Sequence, residues 1–137
     1  MTLIEKENEV IEEFSIFDEW LDKYEYLIDL GKNLEPFSEE KKIEENIIKG
    51  CQSRVWLDAR KEDGKIIFTA DSDAIITKGI ISLLINIYSG RSASEILESD
   101  FSVVEKIGLR ENLSPTRANG LVSMIAKIRE LAYITLG

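Results

Sequence analysis

The sequence predicts an α+β fold in which a small antiparallel sheet packs with helices. Two segments with strand character, about Arg54–Lys61 and Lys65–Ala70, flank Glu62-Asp63-Gly64, and an Asp-Gly pair between strands is typical of a tight hairpin. Asn46–Lys49 is the expected third strand, so that the sheet has three antiparallel strands. Most of the remaining chain shows the apolar spacing and the capping residues of helices.

Two amphipathic helices are predicted in the first 31 residues. Thr2 and Glu5 form a capping-box pattern, and the apolar residues as far as Phe14 fall on one helical face. Ser15 is the expected N-cap of the second helix, and Gly31 is the expected C′ residue that ends it. The apolar stripe of this second helix comprises Phe17, Trp20, Leu21, Tyr24, Leu27 and Ile28.

The central helix of the core is predicted over Ala74–Tyr88. This run is apolar nearly all round, and a helix without a polar face must be buried on most sides. Its isoleucines also suit a strand, but its length, a cap at Ser72 and Gly90 after its end favour a helix. Residues 32–46 before the sheet are expected to form a connector with a short helical turn over Glu39–Lys42.

Three further helix starts are marked by serine. Ser92 with Glu95 and Ser102 with Glu105 are capping-box patterns that head two short helices, the second ending at Gly108. The third is Ser114-Pro115, which places an N-cap beside the favoured first-turn proline and opens a long last helix.

Arg117 lies in the first turn of that last helix, where the helix dipole disfavours a positive charge. One explanation is that its side chain simply points into water. The other is that it faces an anion such as a thiolate or persulfide, which would require Arg117 to lie near the only cysteine.

Length and composition indicate one soluble globular domain over residues 1–137. Apolar residues make up 44% of the chain and charged residues 31%, and no segment approaches the apolar length of a membrane span. The first residues lack the pattern of a secretion signal. With a single cysteine and no internal disulfide possible, a cytoplasmic location and a reduced thiol are expected.

The acidic charge is concentrated in the first third of the sequence. The net charge is −9; residues 1–48 carry −10 and residues 49–137 carry +1. Nucleic acid and anionic membranes demand Lys and Arg, so neither is expected as a partner.

The absence of histidine restricts the chemistry further. A Cys-His hydrolase lacks its general base, and one cysteine cannot assemble a zinc site or an iron–sulfur cluster. No glycine-rich phosphate loop is present. The paired acids Asp71 and Asp73 suit residues that flank a helix start better than glycosidase chemistry.

Cys51 is the one candidate nucleophile. Gly50 permits a sharp turn, and Gln52 and Ser53 make the downstream flank small and polar, so that a loop can present the thiol. On composition alone, a lone cysteine is more often a buried, inert residue. A thiolate that attacks sulfur needs no general base, which suits a sulfur carrier, and Arg54 or Arg117 nearby would favour the ionised form.

The chain resembles the SufE/CsdE family of sulfur acceptors for cysteine desulfurases in iron–sulfur cluster assembly. The similarity covers nearly the whole chain, and its most specific element is Gly-Cys-Gln-Ser followed by Val55-Trp56. Arg54 departs from the pattern, since some relatives have glutamine there. The matching stretches are Trp20–Pro36, Ile48–Leu57, Asp71–Gly79 and Gly108–Gly120.

The resemblance implies that Cys51 receives persulfide sulfur from the active-site cysteine of a group II desulfurase. That partner, not this chain, would hold pyridoxal phosphate, and an iron–sulfur scaffold complex would take the sulfur onward. Nucleic acid, membrane, metal and a cofactor of the chain's own are not expected. The residues expected in the acceptor loop and at the partner contact are Gly50, Gln52, Ser53, Arg54, Asp73 and Arg117.

Two other functions stay open on the sequence alone. One is a regulatory module that activates the desulfurase by docking without covalent chemistry. The other is a one-cysteine thiol peroxidase that uses Cys51 and an arginine. Cys51 would be dispensable in the first and would pass through a sulfenic acid in the second.

Overall fold

The computed structural model describes residues 1–136 and confirms the α+β class. Helices account for most of this part of the chain, and the helix Ile75–Tyr88 packs against a short hairpin. The helices and strands are α1 Leu3–Ser15, α2 Trp20–Lys32, β1 Val55–Glu62, β2 Lys65–Ser72, α3 Ile75–Tyr88, α4 Ala93–Glu98, α5 Val103–Lys106 and α6 Pro115–Leu136. Single 3₁₀ turns occupy Glu39–Lys41, Glu44–Asn46 and Arg110–Asn112.

The predicted hairpin is confirmed. β1 and β2 pair antiparallel in a continuous register that runs from Val55 opposite Ser72 to Glu62 opposite Lys65. The two residues between the strands, Asp63 and Gly64, have positive φ angles of 52° and 78°. That geometry is the two-residue turn which the Asp-Gly pair predicts.

The predicted third strand is wrong. Asn46–Lys49 makes only an isolated bridge between Ile47 and Trp56, supported by the Ile48 N–H donating to the Val55 carbonyl at 2.8 Å. A 3₁₀ turn ends at Asn46 and Gly50 turns the chain away, which leaves room for a single pairing. The sheet of the described residues therefore has two strands.

The capping box of the first helix is confirmed, whereas both predicted ends of the second helix are wrong. Thr2 and Glu5 cap α1 reciprocally. Ser15 belongs to α1, where its hydroxyl donates to the Glu12 carbonyl, and α2 starts only at Trp20. Gly31 lies inside α2 rather than after it.

Gly31 is in the helix interior because α2 and α3 cross there in backbone contact. A Cβ atom on Gly31 would lie 3.1 Å from the Gly79 nitrogen, and a Cβ atom on Gly79 would lie 2.4 Å from the Leu27 carbonyl oxygen. The two glycines therefore serve close packing, in spite of the helix propensity that each sacrifices.

The central helix is confirmed as a core element, with a different cap. Its buried residues include Ile80, Ile81, Leu83, Leu84, Ile87 and Tyr88. Ala74 occupies the N-cap position, and the hydroxyl of Ser72 donates to the Arg54 carbonyl at the end of the hairpin. Gly90 follows the helix with a φ of 80°, and its N–H donates to the Ile66 carbonyl at 2.7 Å.

Of the serines predicted to cap α4 and α5, one caps its helix and the other does not. Ser92 accepts from the Glu95 N–H as predicted, but the Glu95 carboxylate accepts from the Leu3 N–H at 2.8 Å and so joins α4 to α1. The predicted cap at Ser102 is wrong, because its backbone is helical and its side chain caps nothing. Among residues 1–136 no helix could span a membrane.

The start of α6 and the turn after α5 agree with the sequence. The Ser114 hydroxyl accepts from the Arg117 N–H at 3.3 Å, in the manner of an N-cap, and Pro115 is the first helical residue. Gly108 follows α5 with a φ of 74°. Ser114 and Pro115 thus fix the residue at which α6 begins.

Gly79→Ala is expected to destabilise the protein by about 1–3 kcal/mol, because the added methyl group must push apart two helix backbones. Urea unfolding measures the change. Ile75→Ala on the same helix is the control, since Ile75 is 68% exposed and its loss should change stability by about 0.5 kcal/mol or less. Equal effects of the two substitutions would contradict the close-packing role of Gly79.

Candidate functional site

Cys51 lies at the tip of a short loop, residues 49–54, that connects the isolated bridge to β1. The hydrogen bond from Ile48 to Val55 closes the base of this loop. Gly50 has a φ of 97°, a conformation that residues with a Cβ atom rarely adopt. The loop therefore turns back sharply one residue before the thiol.

The loop lies flat on helix α6, and two glycines permit this approach. A Cβ atom on Gly50 would lie 2.3 Å from the Ser123 hydroxyl oxygen and 3.2 Å from the Ser123 Cβ atom, so a side chain at position 50 would displace Ser123. One turn earlier on α6, a Cβ atom on Gly120 would lie 3.4 Å from the Cys51 sulfur. Cys51 Sγ donates a weak hydrogen bond to the Gly120 carbonyl at 3.6 Å.

The downstream end of the loop is fastened to the end of β2. The Arg54 N–H donates to Asp73 Oδ1 at 3.0 Å, and the Arg54 carbonyl accepts from the Ser72 hydroxyl at 2.8 Å and from the Asp73 N–H at 3.2 Å. Asp73, a predicted site residue, is thus part of the base of the loop. These bonds use the backbone of Arg54 and leave its side chain exposed.

A cavity of about 290 Å³ lies under the loop and beside the thiol. Gln52 and Ser53 line it together with Cys51, so the predicted loop residues lie together. Arg117 lines the same cavity, although it is 66 residues away along the sequence. Its other lining residues are Ala74, Thr77, Ile80, Ser114, Thr116, Gly120 and Met124.

The loop does not activate the thiol. Burial raises the pKa of Cys51 above that of an ordinary cysteine, and burial is the cause of the shift. The lowering expected from Arg54 or Arg117 is therefore not found in this conformation. The site holds the thiol against a backbone carbonyl, and its ionisation would be favoured if the sulfur left this surface or if a partner supplied positive charge.

Several residues of the site were not predicted from the sequence. Gly120 and Ser123 support the loop from α6, and Thr77, Thr116 and Met124 complete the cavity. Of these residues, only Gly120 could have been identified from the sequence. A glycine inside a long predicted helix costs about 1 kcal/mol relative to alanine, which indicates that something must approach its bare backbone.

Sequence comparison finds known relatives over almost the whole chain. The family described as SufE, Fe-S metabolism associated domain, matches residues 8–132. A SufE-like protein of Rhizobium etli is 44% identical over 132 residues, which cover 93% of this chain and 89% of that protein. SufE-like protein 1 of Arabidopsis thaliana, named chloroplastic/mitochondrial, is 40% identical over 93% of this chain and 34% of its own length.

A solved structure shares the fold. The solution structure of a hypothetical protein from Thermus thermophilus matches with a TM-score of 0.80 over 96% of both chains. Its sequence is 22% identical, so the likeness concerns the arrangement of helices and strands and not the chemistry of the loop.

The pH dependence of Cys51 alkylation tests the state of the thiol. Because folding raises the pKa of this acid, the folded protein holds the proton at pH values where the unfolded chain has already lost it. The iodoacetamide rate of the native protein should therefore rise at higher pH than that of the same protein in concentrated urea. A native midpoint at or below the urea midpoint would refute the burial of the thiol.

Proposed function

Because the chain belongs to the SufE family, whose domain is associated with Fe–S metabolism, we propose that Cys51 accepts persulfide sulfur from a cysteine desulfurase. The observation that carries this proposal is the position of the chain's only thiol, at the tip of a loop whose two ends are held and whose sulfur lies over a cavity. The protein would stimulate the desulfurase by removing its product.

The proposed transfer balances without an added oxidant. The Cys51 thiolate attacks the outer sulfur of the donor's persulfide, and a new S–S bond forms while the donor's own S–S bond breaks. The donor cysteine leaves as a thiolate, and the proton of Cys51 is released to it or to solvent. Sulfane sulfur changes carrier, and the products are a Cys51 persulfide and a regenerated donor thiol.

The cavity supports a storage role in this scheme. It offers space beside Cys51 for one added sulfur atom, and the Arg117 cation with neighbouring hydroxyl groups lines that space. A persulfide anion would find charge compensation there, which the neutral thiol does not need. Closure of the loop would then protect the persulfide from oxidants, and opening would deliver it.

The partners follow from the same proposal. The donor is a group II desulfurase that holds pyridoxal phosphate, and an Fe–S scaffold complex receives the sulfur from Cys51. Gln52, Ser53 and the exposed Arg54 side chain are the loop residues placed to contact a docked donor. We place this exchange in the cytoplasm, where a lone thiol stays reduced.

Intact-mass spectrometry tests the transfer. Incubation with a group II desulfurase and cysteine should add the mass of one sulfur atom to the wild-type protein, and dithiothreitol should remove it. Cys51→Ser should gain no such mass and serves as the matched control. An unmodified wild-type protein, mixed with a desulfurase that is shown to form its own persulfide, would refute the proposal.

The same variant separates transfer from activation by docking alone. If the protein acts as a carrier, Cys51→Ser should abolish its stimulation of cysteine turnover, because the donor persulfide is no longer discharged. Stimulation that survives the substitution would favour the non-covalent activator. Binding of the variant to the desulfurase, measured by calorimetry, shows whether a lost stimulation reflects lost chemistry or lost docking.

A further inference from the structure

The connector before the loop is held onto the hairpin by two lysines. Lys41 Nζ lies 2.8 Å from Asp58 on β1, and Lys42 Nζ lies 3.1 Å from Asp71 on β2. The Lys42 ammonium also lies 5.2 Å from the centre of the Trp56 ring. Trp56 and Asp71 are directly opposite each other in the hairpin register, so Lys42 contacts a cross-strand pair.

Three consecutive residues thereby hold both the connector before the Cys51 loop and the downstream end of the loop. Asp71 holds the upstream segment through Lys42, while Ser72 and Asp73 hold the downstream end through the backbone of Arg54. Lys78 of α3 approaches the other carboxylate oxygen of Asp71 at 3.2 Å and joins this turn to the central helix.

The two ends of the loop are not held equally. The downstream end continues into β1, which pairs with β2 along eight residues. The upstream end has one isolated bridge, at Ile47, and one backbone hydrogen bond to Val55, at Ile48. Within residues 1–136, no backbone–backbone hydrogen bond outside the helices and strands involves residues 49–53. If the loop opens, the upstream segment is therefore the end that yields.

We propose that the Lys42–Asp71 ion pair is a latch on this upstream segment and sets how often the Cys51 loop opens. Lys42 and Asp71 are positioning residues, since neither lines the cavity beside the thiol. The purpose of the latch, controlled presentation of sulfur, rests on the proposed function, whereas the opening itself does not.

The carboxylate at the centre of the latch is charged at neutral pH. Burial alone would raise the pKa of Asp71, but hydrogen bonds from Lys42, from the Ser72 N–H and from Lys78 outweigh it and keep the pKa below the ordinary value. Its side chain is 19% exposed and that of Lys42 is 23% exposed, so solvent screens this pair less than a fully exposed one.

Cys51 is half-buried in the closed loop, so opening should expose it further, and an increase in its rate of alkylation by iodoacetamide reports opening without any sulfur transfer. Lys42→Gln should raise this rate by about 3- to 10-fold at constant pH, because it removes a partly buried ion pair from the weaker end of the loop. Lys78→Gln is the matched control, since it removes the other cation from Asp71 and leaves the connector attached. Its effect should be less than about twofold.

Two outcomes would overturn the latch. An unchanged rate in Lys42→Gln would show that the ion pair does not hold the loop, and an equal rise in both variants would trace the effect to the charge of Asp71 rather than to the connector. Thermal unfolding of each variant checks that the fold is intact. If Lys42→Gln does not fold, Lys42→Met, which keeps the aliphatic part of the side chain and removes the charge, takes its place with the same expected rise, and an unchanged rate in that variant would refute the latch.

A negative result here leaves the proposed function standing. Sulfur transfer is read by the mass of the Cys51 adduct, and opening is read by alkylation in the absence of any desulfurase. A protein that accepts sulfur but alkylates at the same rate in all variants would be a carrier without this latch.

Discussion

The contact between the Cys51 loop and helix α6 is the constraint on which the site depends. It exists because each backbone has a glycine where the other element places a small side chain, with Gly50 against the Ser123 side chain and Gly120 against the Cys51 sulfur. The N-cap at Ser114 fixes where α6 begins and so places Arg117 beside the same cavity. The hairpin and the central helix serve this arrangement by holding the two ends of the loop at a fixed distance from α6.

This contact also affects the protonation of the Cys51 thiol in the closed loop. The sulfur faces the Gly120 carbonyl oxygen, and partial burial raises the pKa of the Cys51 thiol, which favours its protonated form. A chain without histidine has no side chain of ordinary pKa near neutrality with which to remove that proton. Under the proposed function, a change of environment when a partner protein draws the loop outward would raise the reactivity of the thiol. Partial burial also limits the access of oxidants to the thiol.

Local signals in the sequence predicted local structure well and tertiary contacts poorly. The Asp-Gly turn, the Thr2 capping box and the Ser114-Pro115 start depend on neighbouring residues, and all three are found. Ser15 and Ser102 carry the same signals, but neither side chain caps the predicted helix. The helix α1 continues through Ser15, and the backbone at Ser102 is already helical.

Most of the remaining omissions have a long-range cause, whereas the third strand was limited by local turns. Gly31 resembled a helix end, yet it packs against Gly79, a residue that no local pattern connects to it. The third strand failed because its pairing is limited to Ile47 by the turns on either side. The residues of the loop could be named from the family motif, but the proximity of Arg117 to Cys51 and the supporting role of Ser123 arise only when α6 folds back beneath the loop.

The closed base of the loop sets a limit on reach. With Ile48 and Val55 joined, the cysteine follows Ile48 by about three residues, and an extended chain spans about 3.3–3.6 Å per residue. The sulfur can then project by only about 10 Å from the body of the protein. If the chain accepts sulfur as proposed, a donor cysteine in a deeper active site would be out of range until the segment before Ile48 separates from the hairpin.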